Sequence, residues 1–393
     1  MRTHVFIVNN ETFPSHLCYL FAGTGASSGN KPKIWLDWNV ALLSDIKRVR
    51  VGDFVIFYIE ATAEETGGFY GIFKIADKVP TVFHVPKNDG YEPNLGIKLI
   101  YRTLVEPFEV YSDGVAEWEA LDKLPIYATD VQWSLIYRKL KAKRGCTPLF
   151  PWEAQNLMNM IRDNNAGQLI ANTKFTGGFD WDTRERKIRT TPSRQEYPSP
   201  RTYNHDPLEA MSFICNNQSY GRHLKEAKDF EISPQSLRRN KSYEDYLQLY
   251  FTQNIGVDPM LNPIVGNNII WFGNEVACSV GMRKIDILTI CQEGERKQFR
   301  LIELKDEPIE PGIVKQIDYY TLWASQNSGR HLVEASNWNL QPVIVAPPHK
   351  PRNWSSVIDA LRRYNTTNIS LPILYFEFTF DAGGTISFQK IQY

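Results

Sequence analysis

Between residues 281 and 320 the chain sets two apolar runs on either side of a polar stretch that contains a glycine. The runs are Ile285-Asp286-Ile287-Leu288 and Leu301-Ile302-Glu303-Leu304-Lys305, and the polar stretch is Gln292-Glu293-Gly294-Glu295-Arg296-Lys297. Short β-branched or leucine-rich runs bounded this way read as a hairpin. A turn centred between Gly294 and Glu295 sets Asp286 opposite Glu303 and Lys284 opposite Lys305. Opposed side chains share a face, and alternation along the strand keeps Glu303 and Lys305 together while Leu304 points away. Two carboxylates and an ammonium then converge. A bulge would shift this register by one residue.

Carboxylates held this close repel each other unless a cation joins them, and hard oxygen ligands suit Mg²⁺ or Mn²⁺. A lysine beside such a cation can orient a water or stabilise charge on a phosphate. Taken alone, the same three residues also fit an exposed hairpin with ordinary surface charges. The next segment, 312–327, has the period of a helix, with Ile313, Ile317, Tyr320 and Ala324 on one stripe. Gln316 precedes Tyr320 by one turn, so both can face the hairpin. Upstream, Ser242-Tyr243-Glu244-Asp245 reads as a helix start, with a serine cap and Glu244 as a further acid.

The order Glu244, Gly281, Asp286, Glu303-x-Lys305, Gln316-x-x-x-Tyr320 resembles the PD-(D/E)xK nuclease superfamily, and its glutamine-tyrosine helix is most similar to the RecB-like and NucS-like branch. The resemblance covers roughly residues 241–346. The proline that the superfamily places before the aspartate is Ile285 here. The resemblance implies a mixed sheet flanked by helices, with Asp286 and Glu303 as ligands of Mg²⁺ or Mn²⁺ and Lys305 orienting the attacking water. It gives Glu244, Gln316 and Tyr320 supporting roles.

The 393 residues allow about two domains, and 42% hydrophobic with 22% charged residues is ordinary globular composition. Formal charge is zero, so a nucleic-acid surface has to come from local clustering. The five cysteines, Cys18, Cys146, Cys215, Cys278 and Cys291, form no Cys-x-x-Cys pair, which argues against a disulfide scaffold and a structural zinc. The seven histidines show no metal-ligand spacing, so any metal site is an oxygen site. The N-terminal residues lack the zones of a signal peptide, and no apolar run reaches membrane-spanning length. An intracellular, cytoplasmic protein with no membrane partner is the expectation.

In the first half, Val5 to Val8 reads as a strand, and Gly52-Asp53-Phe54-Val55-Ile56-Phe57-Tyr58 followed by Phe69-Tyr70-Gly71-Ile72 reads as a hairpin. Further strands are expected over 98–101 and 105–111, giving a small β-barrel with helices at its edge. These glycine-led strands resemble the EVE/YTH group of PUA-like domains over roughly residues 1–160. That resemblance implies a pocket for one flipped, modified base.

Such a pocket needs stacking faces and an edge reader. Trp35, Trp38 and Trp133 are candidates for the first and Asn10 for the second, although tryptophans also serve as core fillers. The cluster Arg138, Lys139, Lys141, Lys143 and Arg144 is either a solvated helix face or a contact to DNA backbone.

The expected organisation is a base-reading domain over 1–165, a linker over 166–240 rich in glycine, proline and arginine, and a nuclease domain over 241–393. A strand over 341–346, a helix over 354–364 and a closing hairpin over 371–391 complete the second domain. The implied function is a Mg²⁺-dependent endonuclease acting on double-stranded DNA with a modified base; a homodimer would let both strands be cut. The alternatives are a structure-specific repair endonuclease for mismatched or branched DNA, and a non-catalytic reader of modified nucleic acid.

Overall fold

The computed structural model describes residues 2–24, 37–78, 81–84, 99, 101–120, 145–197, 244–278, 283–327, 338–368, 370–382 and 385–393, with the backbone alone at 37–41, 84, 245, 246, 326, 327 and 338. The chain divides into two units, Met1–Lys33 with Asp45–Asn204, and Ile34–Ser44 with His205–Tyr393. Both are mixtures of α and β structure.

The first unit is built on a nine-stranded, curled half-barrel sheet. Its strands are β1 (Thr3–Val8), β2 (Phe21–Thr24), β3 (Phe54–Ile59), β4 (Gly68–Ile75), β5 (Val82–His84), β6 (Tyr101–Val110), β7 (Val115–Ala116), β8 (Cys146–Leu149) and β9 (Ala171–Asn172). The hydrogen-bonded path runs β2-β6-β4-β3-β1-β8, with β5, β7 and β9 attached to its side. One pair, β1 with β3, is parallel. The curl brings the two ends of the path together: Gly145, just before β8, lies so close to Thr24 at the end of β2 that any side chain there would collide with it. Gly52, at φ +83°, makes the turn into β3, and the adjoining Asp53 accepts from the backbone of Arg2 and from His4 Nε2, fixing β3 beside β1.

Two helices flank this sheet, α1 (Phe13–Tyr19) and, later in the chain, α3 (Pro151–Asn164); α2 (Asp37–Lys47) lies between them in sequence. Leu157, Met158 and Ile161 of α3 bury against Val5, Ile56, Phe69 and Ile72. Instead of the two strands expected over 98–111, the single strand β6 spans most of that stretch, pairing with β2 and β5 through its first half and with β4 and β9 through its second.

Residues 166–197 differ from the linker expected there. After β9 they form a hairpin of β10 (Gly178–Asp182) and β11 (Lys187–Thr191). Its Trp181 ring packs 5.0 Å from Phe13 and 4.9 Å from Tyr70, and aromatic burial of this kind holds a short hairpin in place. Three of the basic side chains that gave the stretch its look are spent on internal pairs. Arg186 meets Glu65, Lys187 meets Asp113, and Arg189 meets Asp182 and Glu185. Residues 198–240 lie outside the described residues.

The second unit carries a six-stranded mixed sheet in the order β12-β13-β14-β15-β16-β17. The strands are β12 (Ile269–Ala277), β13 (Lys284–Glu293), β14 (Arg296–Leu304), β15 (Trp338–Ala346), β16 (Leu374–Phe380) and β17 (Ile386–Ile391). Pairs β14–β15 and β15–β16 are parallel and the other three antiparallel. Helices α4 (Glu244–Asn254), α5 (Ile313–Asn327) and α6 (Trp354–Thr367) complete it. The stripe Ile313, Ile317, Tyr320 and Ala324 of α5 is buried, as its spacing requires. No helix among the described residues is long and apolar enough to cross a membrane.

Candidate active site

The site grows from the β13–β14 hairpin. Gly294, at φ +63°, supplies the left-handed position that a two-residue turn needs, and Glu293 pairs with Arg296 across it. The ladder runs in the expected register from there to Ile287–Ile302 and then stops. One residue further on, Asp286 Oδ2 accepts the Leu304 backbone N–H at 2.8 Å, so a carboxylate takes over a ladder bond and the strands part around it. Lys284 therefore does not face Lys305 as the extended register would have it. It pairs with Ala277 of β12 and its ammonium meets Glu275 at 2.8 Å.

The parted strand ends gather the other expected residues. Lys305 Nζ lies 2.5 Å from Glu303 Oε1 and 3.2 Å from Glu244 Oε2, and it also donates to the Leu304 carbonyl. Gln316 Nε2 donates to Glu303 Oε1 at 2.6 Å and to the Tyr320 hydroxyl at 2.6 Å; Tyr320 in turn donates to the Lys284 carbonyl at 2.7 Å. Beneath Asp286, its own carbonyl accepts from Gln248 Nε2, whose Oε1 accepts from Asn274. Gln248 and Asn274, both buried, were not singled out in the sequence, because they support the site through a backbone atom and carry no motif of their own.

The electrostatics are those of crowded acids. Burial pushes the Asp286 carboxyl well above the usual carboxylate range, with Glu303 and Glu244 adding to the effect and Lys305 opposing it. Glu244 is raised as well, by burial first, against the pull of Lys305. Burial works against the charge of Lys305, but Glu303, Asp286 and Glu244 outweigh it and raise its value, so it is a firm ammonium. The hydroxyl of Tyr320 is raised by burial, with Glu303 next. Glu303 is 1% exposed and its Oε2 has no hydrogen-bond partner.

An unpartnered carboxylate oxygen in the interior is costly unless something absent from the protein alone completes it. Beside Asp286, it fits a hard divalent cation such as Mg²⁺. Among the described residues no group of three or more His, Cys, Asp and Glu side chains could hold a metal by itself. A cation here would take the two carboxylates and leave its remaining positions to water and substrate oxygens, as Mg²⁺ does.

The first unit gives a different picture. Trp35 and Trp133 lie outside the described residues, as do the side chain of Trp38 and the cluster Arg138, Lys139, Lys141, Lys143 and Arg144. Asn10 is described, and its amide donates to Glu65 at 2.7 Å. A recess of about 710 Å³ opens elsewhere on this unit, lined by Tyr19, Phe175 and Tyr197 together with Lys78, Glu106, Arg194 and Glu196. Arg102 Nη1 donates to the Tyr197 hydroxyl at 2.8 Å, fixing that ring. The recess escaped sequence reading because its three rings are far apart along the chain.

The sequence matches no family model and no curated protein. Solved structures show partial similarity to the chain. A hypothetical protein from Leishmania major is 12% identical, over 42% of this chain and 96% of its own, with a TM-score of 0.28. The human THYN1 protein, in complex with DNA containing 5-methylcytosine, is 11% identical over 41% of this chain and 97% of its own, with a TM-score of 0.25. The restriction endonuclease FokI bound to DNA is 12% identical over 76% of this chain and 54% of its own, with a TM-score of 0.25.

Proposed function

We propose that this chain is a Mg²⁺-dependent DNA endonuclease whose second unit hydrolyses the phosphodiester and whose first unit selects the site by accepting a flipped, modified base. The observation that carries the first part is the meeting of Asp286, Glu303 and Lys305 at the parted ends of β13 and β14, with Glu303 Oε2 left unpartnered. Asp286 and Glu303 would hold the cation, which when bound supplies Lewis acidity to a phosphoryl oxygen and lowers the cost of ionising water.

The protein's own groups do the rest. As a firm ammonium, Lys305 cannot take a proton from water; it donates hydrogen bonds to the attacking water or to the phosphoryl oxygen on which charge builds. Glu303 and Glu244 hold it in place. Gln316 fixes Glu303, and Tyr320 ties that pair to the start of β13 through the Lys284 carbonyl. An extended network of this kind keeps the reacting groups aligned before substrate arrives.

For base selection, the support is the recess lined by Tyr19, Phe175 and Tyr197, whose volume is ample for one base and which adds acidic and basic edges to its aromatic faces. Trp35, Trp38, Trp133 and Asn10 belong to the same proposal as a second stacking and reading set. Cleavage of unmodified, methylated, hydroxymethylated and glucosylated duplexes side by side, with and without Mg²⁺, tests the whole reading. Cutting confined to mismatched or flapped DNA, indifferent to modification, would replace base reading by structure-specific repair.

A further inference from the structure

The end of the second unit's sheet that bears the acids also carries an anchored imidazole outside them. His349 follows β15 by three residues, which places it at most about 10 Å from Ala346. Glu377 Oε1 accepts from the His349 backbone N–H at 2.9 Å, lies 2.7 Å from His349 Nδ1, and accepts from the Tyr375 hydroxyl at 2.9 Å. The imidazole stacks on Trp354 with ring centroids 3.9 Å apart and planes at 20°. Glu377 is 8% exposed. A buried carboxylate and an indole thus immobilise one face and one nitrogen of His349, and the ring as a whole stays half-buried. The adjoining Lys350 and Arg352 are exposed.

On the other side of the acids, Arg283 precedes β13. Its guanidinium lies 4.6 Å from the centroid of the Tyr319 ring, a cation–π contact that fixes its direction. Because β13 runs antiparallel to β14 while β15 runs parallel to it, Arg283, the acids and His349 all fall at one end of the sheet. From β13 to the β15–β16 boundary is two to three strand spacings, roughly 10–14 Å. A gap of that width leaves room for one phosphate between two others along a DNA strand.

Resting on the nuclease reading of the site, we propose that one DNA strand crosses this end of the sheet with its phosphates held by Arg283 on one side and His349 on the other, the scissile phosphate lying between them at Lys305. Two anchored basic side chains flanking an acidic centre match a chain of phosphates better than a single small anion. Glu377 occupies Nδ1, which leaves Nε2 for a phosphate oxygen. Both are positioning residues, since neither reaches the phosphate that is cut.

The test uses the full-length protein and a fluorescein-labelled DNA duplex, titrated in EDTA across a range of salt concentrations, with Mg²⁺-dependent cleavage measured in parallel. His349→Asn keeps an amide that can donate to Glu377 but removes the outward nitrogen, so the loop stays anchored. Arg283→Ala removes the other basic side chain. Each lowers the slope of log affinity against log salt by about 0.9, the value of one phosphate contact. Lys297→Ala, at the turn end of the hairpin, leaves the slope unchanged.

Unchanged slopes in both variants, with wild type still cutting, overturn the proposal and leave the nuclease reading standing. Equal slope loss in Lys297→Ala overturns it too, since charge alone would then explain binding. Reduced slopes with no cutting of any DNA by wild type overturn the nuclease reading while supporting the two phosphate contacts. Should His349→Asn melt early, Arg283→Ala decides alone.

Discussion

Gln316 Nε2 lies 2.6 Å from Glu303 Oε1, the same oxygen that pairs with Lys305. One carboxylate oxygen is thereby saturated by an amide and an ammonium, and the other, Oε2, is left buried with nothing to accept from. The asymmetry separates two tasks within one side chain. Oε1 organises the protein, and Oε2 is available to a cation.

The first prediction follows from that division. Asp286→Ala and Glu303→Ala each lower the cleavage rate by roughly three orders of magnitude or more, because each removes a carboxylate from the proposed cation site. Lys305→Ala does the same by removing charge stabilisation from the reacting phosphate. Affinity for uncut DNA in EDTA stays within a few-fold of wild type. Near-normal cutting by either acid variant would remove the site assignment.

A graded effect is expected around this centre. Glu244→Ala lowers the rate by roughly tenfold, since Lys305 keeps its closer partner Glu303 at 2.5 Å. Gln316→Ala behaves similarly. Tyr320→Phe loses the bonds to the Lys284 carbonyl and from Gln316 but leaves Gln316 on Glu303, and costs about 1–2 kcal/mol of stability, visible as a lower melting temperature. A Glu244→Ala variant as inactive as Asp286→Ala would make Glu244 part of the cation site.

Stability without metal gives a check that needs no substrate. Asp286 has a raised folded pKa, so the native state keeps a proton that the unfolded chain releases. Its stabilising effect is full at low pH and is lost as pH rises from the unfolded carboxylate value through the folded one. Asp286→Asn removes this penalty, and its amide oxygen can still accept from Leu304. Metal-free Asp286→Asn therefore melts about 2–4 °C above wild type at neutral pH, roughly 1 kcal/mol. Glu303→Gln goes the other way, because it leaves Lys305 with Glu244 as its remaining carboxylate at 3.2 Å. Adding Mg²⁺ raises the melting temperature of wild type and of neither variant. Melting curves with and without the ion decide this.

The hairpin was legible because its register is fixed locally by Gly294 and by alternation on a buried face, which carry the ladder to Ile287 and Ile302, the residues next to Asp286 and Glu303. The spacing of Gln316 and Tyr320 was legible for the same reason, as a single helical turn. Lys284 was misplaced because register reasoning assumes a ladder that continues, whereas Asp286 ends it with its own side chain. The hairpin of β10 and β11 looked like linker since its basic residues and glycines are compositional signals, and its anchor, Trp181 on Phe13, is a contact across most of the unit's length. Glu377 and His349 stand 28 residues apart and meet only because β15 and β16 are parallel neighbours. Pairings of that kind have no period in the sequence.

The last prediction concerns the recess of the first unit. Tyr197 has its hydroxyl fixed by Arg102 and its ring near Phe21 and Phe83, with centroids 5.6 and 5.5 Å away, so it is a stiff wall of the recess. Stacking on an aromatic face contributes about 1–3 kcal/mol per base, against an unstacking cost of a few kcal/mol that a modified base must help to offset. Tyr197→Ala removes one such face and leaves phosphate contacts in place. The expected outcome is a roughly five- to hundredfold loss of preference for modified over unmodified duplex, with affinity for unmodified duplex nearly unchanged. Trp35→Ala, Trp38→Ala and Trp133→Ala, titrated alongside against the same pair of duplexes, locate the pocket: if they erase the preference and Tyr197→Ala does not, the base is read by the tryptophan set and the recess at Tyr197 is not the reader. If none of the four variants changes the preference, the first unit does not read a base by stacking, and cutting must be directed by the shape of the DNA.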